Sequence, residues 1–333
     1  SNDIGPDGIV ALCDALRGNV TLTSLDLGGI RGINRNHVGG RGAEALGNLL
    51  ATNAVLHSLD VSSNGLGLEG CGLVAAGLQQ NHALRRLYLA SNNIGPDGCR
   101  LLASVVQDCR LELLDLRRNS IGDVGAAHVA AAFKPGTDGG EAIVTLMLEH
   151  NEIREAGARA LAPTVRTSQS LRHLYLSHNN MGPGLAVVFE ALRDNRKLQS
   201  LHAVQTGIQE AEAKALAKSL EGGSGLEHLD ISRNRMPDSA GVALFKALTH
   251  NGRLQHLNAA GCSLGNETAT ALASMMRYNK DLTSISLKQN LFSGAVGDVI
   301  LEELKAHPHV RSLDLAYNDI PYLSQTGIHA ALA

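Results

Sequence analysis

The chain has 333 residues, of which 44% are hydrophobic, 3% are aromatic and none is Trp. That apolar fraction excludes a disordered chain and asks for a core of Leu, Ala, Val and Ile. A net charge of −3, from 29 basic and 32 acidic residues, leaves no electrostatic footprint for nucleic acid or an anionic membrane.

The chain opens on Asn2-Asp-Ile4-Gly5-Pro-Asp-Gly8, a pattern that returns at Asn92–Gly98. From there L-x-x-L-x-L runs start at Leu22, Leu56, Leu84, Leu111, Ile143, Leu171, Leu198, Leu226, Leu254, Leu282 and Val310. Six of the ten steps between them equal 28 residues. Two longer steps hold insertions, near 28–36 (GGIRGINRN) and 135–141 (PGTDGGE). A fixed period of this length means a stack of similar units, not the two domains that length alone suggests. The expectation is one domain over 1–333, about eleven full repeats after a partial N-terminal one. Because the chain starts inside a repeat, it reads as part of a longer protein.

Within a unit, alternation in L-x-L predicts a short strand with one buried face. Apolar residues at helical spacing follow, such as Leu73, Val74 and Leu78, or Leu244 and Leu248. Gly70, Gly98, Gly125, Gly157 and Gly241 fall at the helix entries, where a small residue admits a neighbouring backbone. Asn53, Asn81, Asn195, Asn251 and Asn279 fall at the helix ends, where a left-handed closing turn is expected. After the strand stands Asn in nine of eleven repeats, at 36, 64, 92, 119, 151, 179, 234, 290 and 318, with Thr206 and Cys262 in the others. A buried row of amides that cap turn backbone accounts for it better than a ligand ladder.

L-x-x-L-x-L-x-x-N-x-I-G-x-x-G with a 28-residue period resembles the ribonuclease-inhibitor-like class of leucine-rich repeats over essentially the whole chain. The resemblance implies an α/β right-handed horseshoe, a solenoid with a parallel β-sheet on its concave face and helices on its convex face. It also implies a protein-binding module rather than a particular chemistry.

The third and fifth residues of each unit then point to the concave side, and the seventh and eighth edge its rim. The middle of that surface gathers Arg86, Tyr88, Leu113, Arg117, Arg118, Met147, His173 and Tyr175. Arg and Tyr dominate interface energetics, so Arg86, Tyr88, Arg117, Arg118, Met147, His173 and Tyr175 form the expected partner site. His173, His202, His228 and His256 fall on four consecutive strands, with His150 and His178 at the rim. A metal site, a pH-sensitive surface and a solvated row compete for them; a flat row converges poorly on a metal, so no metal is assigned.

No phosphate-binding, dinucleotide, zinc-protease or nucleophile-elbow motif occurs, so neither an enzyme nor a cofactor is expected. One catalytic family shares the architecture. Ran GTPase-activating proteins are similar repeats that use an Arg in an early inserted loop and a later turn Asn. Arg31, Arg35 and Asn92 are the matching residues here, although neither Arg falls cleanly on the family position. The repeat region of a NOD-like receptor is the other alternative. Five Cys without CxxC spacing indicate a reducing, cytoplasmic setting, and no apolar run reaches the roughly 18–20 residues of a membrane span. The reading is a scaffold that binds another protein, with no nucleic acid or membrane partner; the sequence does not specify its oligomeric state.

Overall fold

The computed structural model describes residues 2–29, 36–106, 108–133, 143–294 and 296–332. The insertion at 135–141 and most of that at 28–36 lie outside them. The chain divides into two compact units, Ser1–Tyr175 and Leu176–Ala333.

In the first unit, α1 (Pro6–Leu16) precedes β1 (Ser24–Asp26), α2 (Gly39–Thr52), β2 (Ser58–Asp60), α3 (Gly67–Leu78) and β3 (Arg86–Tyr88). Then come α4 (Gly95–Val106), β4 (Leu113–Asp115), α5 (Gly122–Ala131), β5 (Thr145–Met147), α6 (Glu155–Thr167) and β6 (His173–Tyr175). Neighbouring strands pair in parallel, each repeat position opposite the same position of the next repeat. The middle residues Leu59, Leu87, Leu114, Leu146 and Leu174 are buried under the helices. The residues on either side of each face away from them. A three-residue strand buries one side chain, so the helices supply most of the core.

The second unit repeats the plan. It runs α7 (Gly184–Leu192), β7 (Ser200–His202), α8 (Glu210–Glu221), β8 (His228–Asp230), α9 (Asp238–Leu248) and β9 (His256–Asn258). It ends with α10 (Asn266–Met276), β10 (Ser284–Ser286), α11 (Val296–Ala306), β11 (Ser312–Asp314) and α12 (Tyr322–Leu332). Its strands pair in the same parallel register. The aliphatic core expected from composition needs one correction. Phe189, Phe245 and Phe292 are fully buried here and Phe133 is buried in the first unit, so all four Phe are core residues.

The asparagine after each strand is a rung. Asn119 donates from Nδ2 to the carbonyls of Leu89 and Leu116 at 2.9 and 3.0 Å, and its Oδ1 accepts the Asn92 amide at 2.9 Å. Each such side chain therefore satisfies the turn of its own repeat and that of the one before. Asn53, Asn81, Asn195, Asn251 and Asn279 do not make the left-handed turn expected of them; none has positive φ. They form a second ladder at the other end of the strands. Asn81 Oδ1 accepts the amides of Ala83 and Leu84, while its Nδ2 donates to Leu50 O and Asn53 O in the preceding repeat. Side-chain bonding makes the backbone reversal unnecessary.

The helix-entry glycines follow expectation only in part. A Cβ on Gly98 would stand 2.2 Å from Ile94 Cγ2, so the crowding comes from the turn's own isoleucine. Gly157 does approach the backbone of the preceding repeat, with Asp123 Cα 3.0 Å from its Cβ position, and the tightest backbone contact lies away from the helix entries. A Cβ on Gly77 of α3 would lie 2.2 Å from Gly47 O and 2.8 Å from Gly47 Cα of α2. Gly77→Ala should lower the unfolding free energy by about 2 kcal/mol through overpacking. Gly40→Ala, where nothing lies within 4 Å, should leave it unchanged or raise it by up to about 1 kcal/mol. Urea midpoints of the two variants compare the effects directly; equal midpoints would refute the close-approach role.

Candidate functional site

Parallel in-register pairing turns repeat positions into rows on the helix-free face of the first unit. The fifth-position row runs Asp26, Asp60, Tyr88, Asp115, Met147, Tyr175. The third-position row runs Ser24, Ser58, Arg86, Leu113, Thr145, His173. Met147 and Tyr175 are therefore direct neighbours, whereas Tyr88 is separated from Met147 by Asp115. Arg86 and His173 stand three strands apart, about 14 Å at the usual interstrand spacing. Tyr88, Met147, His173 and Tyr175 are half-buried and Arg86 is exposed.

Arg117 bridges the gap in the row. Its Nε and Nη2 donate to both oxygens of Asp115, at 2.9 and 2.6 Å for the two shorter bonds. Asp115 has 1% of its side chain exposed, and the guanidinium above it 40%. Arg117 is a lid on a buried carboxylate rather than a free cation. The bond to Asp115 pushes its pKa further up, against burial, and Glu149 and Asp60 add to the rise. Burial raises the Glu149 carboxyl; Arg117 pulls it back down and Asp115 pushes it up. Glu149 Oε2 is buried without a hydrogen-bond partner. Burial likewise raises Asp60, against hydrogen bonds from Ser62 and with the charges of Asp26 and Asp115, and it raises the Tyr175 phenol with help from Glu149.

Arg118 reaches the other way, from Nη2 to His150 Nε2 at 3.0 Å. Its φ of 56° is shared by the eighth residue of other repeats, among them Ser63, Ser91, His150 and His178. The turn thus aims a rim side chain outward at a conformational cost of about 1 kcal/mol for a non-glycine residue. Asp60, Asp115 and Glu149 were missed as site residues. A signal for the Asp115–Arg117 pair exists, because residues two apart on a strand share a face.

Asn92 is fully buried. It donates to Val61 O and Leu89 O and accepts the amides of Asn64 and Leu66. Both ends of its amide are occupied, so it presents nothing to a nucleotide or water. Arg31 and Arg35 lie outside the described residues. The cysteines offer no nucleophile: all five are buried, and burial pushes Cys71, Cys99 and Cys262 up to about 12.

Of the histidines, His202, His228 and His256 stand on β7, β8 and β9 of the second unit, and His173 on β6 of the first. Among the described residues no three His, Cys, Asp or Glu side chains are grouped to hold a metal ion.

The regular 28-residue frame has a counterpart among known families. A leucine-rich-repeat model matches residues 52–75, 80–103, 108–130, 167–184 and 306–320. The protein carries leucine-rich repeats. Human NACHT, LRR and PYD domains-containing protein 12 is 29% identical over 313 residues, covering 92% of this chain and 29% of that protein. Pig ribonuclease inhibitor is 28% identical over 270 residues, covering 80% of this chain and 52% of the inhibitor. This leucine-rich-repeat chain therefore spans under a third of the first relative and about half of the second. Among solved structures, a Listeria monocytogenes internalin aligns over 98% of this chain and 92% of its own with a TM-score of 0.54 at 18% identity. TLR13, solved as a complex with ssRNA13, aligns over 93% of this chain and 38% of its own with a TM-score of 0.55 at 18% identity. These two likenesses establish the leucine-rich-repeat fold alone. No helix among the described residues is long and apolar enough to cross a membrane.

Proposed function

We propose that this is a non-enzymatic cytoplasmic scaffold that binds another protein on the helix-free face of its first unit, with no cofactor. The observation that carries the reading is the row Tyr88, Met147, Tyr175, interrupted only by the Asp115–Arg117 pair and flanked by Arg86, His173 and Arg118. Half-buried Tyr and Met with Arg close by are the composition of interface hot spots. Their rigidity comes from the sheet, so little side-chain entropy is lost on docking. Arg117 joins as a positioned donor already held by Asp115.

A photocrosslinking amino acid at position 88 should trap a partner from native cytosol. The same group at position 100, on an exposed part of α4, should not. Arg86→Ala with Tyr88→Ala should then weaken the trapped partner's binding at least about tenfold and leave the urea midpoint in place. Equal trapping at both positions, or unchanged affinity of the double variant, would place the interface elsewhere.

A second reading rests on the similarity to NACHT, LRR and PYD domains-containing proteins, which carry further domains beside their repeats. Under it, this chain is the ligand-sensing repeat region of a NOD-like receptor. Nucleotide binding by the protein purified from its native source tests it, and a full-length product without a nucleotide site counts against it.

A further inference from the structure

The helix-free face of the second unit contains a shallow depression of about 380 Å³, lined by residues of β7 to β11. Its origin lies in side-chain size. The third-position row in this unit runs Ser200, His228, His256, Ser284, Ser312. The His228 and His256 rings stack with centroids 4.4 Å apart and planes within 3°, close to the interstrand spacing. The next place in that stack, one strand on, belongs to Ser284, which has no ring. A slot open on its outer side is left beyond His256, over Ser284, Ser286 and Ser312, and one face of the His256 ring lines it.

Charge defines what the slot accepts. Asp230 and Asp314 line the depression, and no Lys or Arg does. Asp230 is held by the Ser232 amide and hydroxyl and by Asn258 Nδ2. Asp314 accepts the Ala316 amide on Oδ1, and neither carboxylate is paired with a cation among the described residues. A planar cation fits where a rounded or anionic group does not. Guanidinium stacks on a ring face and bonds a carboxylate along its edge, while an ammonium does only the second.

We propose that this slot seats the guanidinium of an arginine on a protein partner, stacked on His256 and hydrogen-bonded to Asp314, and that acidification expels it. The titratable groups around His256 are few. β8 contributes His228 and Asp230, β7 His202 and β11 Asp314, while β10 contributes only serines. Burial, and then His228, hold His256 below the ordinary histidine value, so the ring that faces the guest is neutral at neutral pH. On acidification His256 takes up a proton, and a cation then faces a cation across the slot.

The test is histidine-ring NMR of the whole chain titrated with N-acetylarginine amide at pH 7.5. The His228 and His256 signals should shift saturably, with affinity falling about tenfold by pH 5.5 and about tenfold in Asp314→Asn. Ser284→Leu, which fills the slot, should abolish the shift. His256→Gln should bind weakly but lose the pH dependence, and circular dichroism checks that each variant is folded. An equal response to N-acetyllysine amide, a response to N-acetylphenylalanine amide, pH-independent binding, or no saturable shift would each overturn the assignment. The first unit takes no part, so this result is separate from the crosslinking at position 88.

Discussion

Asn119→Ala should cost the first unit about 4 kcal/mol, read as a lower urea midpoint. The side chain is fully buried, and its Oδ1 accepts the backbone amides of Asn92 and Ile94. Its removal takes the acceptor from the Asn92 and Ile94 amides, while the Leu89 and Leu116 carbonyls lose one donor each and keep Asn92 and Asn151. Each buried backbone group left unpaired costs about 1–3 kcal/mol, and the missing amide adds a small cavity. The chain itself supplies the graded control. Where Thr206 replaces asparagine, its hydroxyl keeps the local bond to Ala203 O at 2.9 Å. Where Cys262 replaces it, the thiol reaches back to Ile231 O at 3.3 Å. Asn119→Thr and Asn119→Cys should therefore lose clearly less than Asn119→Ala. If all three fall together, the rung is needed for shape and not for its hydrogen bonds. Because stacked repeats share stability mainly with their neighbours, the loss should show first in hydrogen exchange around β3 to β5.

Most of this architecture can be read from residue order. A strand buries alternate residues, and equal repeats stacked in parallel must pair like positions. The rows Tyr88–Asp115–Met147–Tyr175 and Arg86–Leu113–Thr145–His173 follow without coordinates. What escaped are contacts whose geometry depends on how one repeat sits on the next. The asparagines at the helix ends looked like turn formers because Asn tolerates positive φ; stacking instead gave their amides carbonyls from the previous repeat to bond. The slot beside His256 escaped for another reason. It is made by what Ser284 lacks, and it matters only once two neighbouring rings are known to lie flat against each other. The buried phenylalanines show the limit of composition, since a low aromatic fraction does not tell where the few rings lie.

Arg117→Ala is the second large effect, and it separates the surface from the fold. From sequence, replacing Tyr88 and Arg117 together by Ala is expected to abolish partner binding and leave the melting temperature nearly unchanged. The structure alters that expectation, because Asp115 beneath Arg117 is almost wholly buried and takes both of its strongest bonds from the guanidinium. Removing one partner of a buried pair strands the other charge, at about 3–5 kcal/mol when both are enclosed. With the guanidinium 40% exposed, water screens part of this and about 3 kcal/mol is expected. The deficit should depend on pH. Burial already raises Glu149, and Arg117 is among the groups that restrain it, so its pKa climbs further in the variant. A carboxyl raised on folding favours the folded state below its unfolded value and opposes it once pH passes the folded value. The gap between wild type and Arg117→Ala should therefore be widest near neutrality and narrow toward pH 4, as Glu149 takes up its proton. Asp115→Asn with Arg117→Gln should recover part of the loss, since both groups are then neutral and able to bond. If Arg117→Ala leaves the urea midpoint unchanged at pH 7, the pair is only a surface contact, and Arg117 returns to the list of free anchors for a partner.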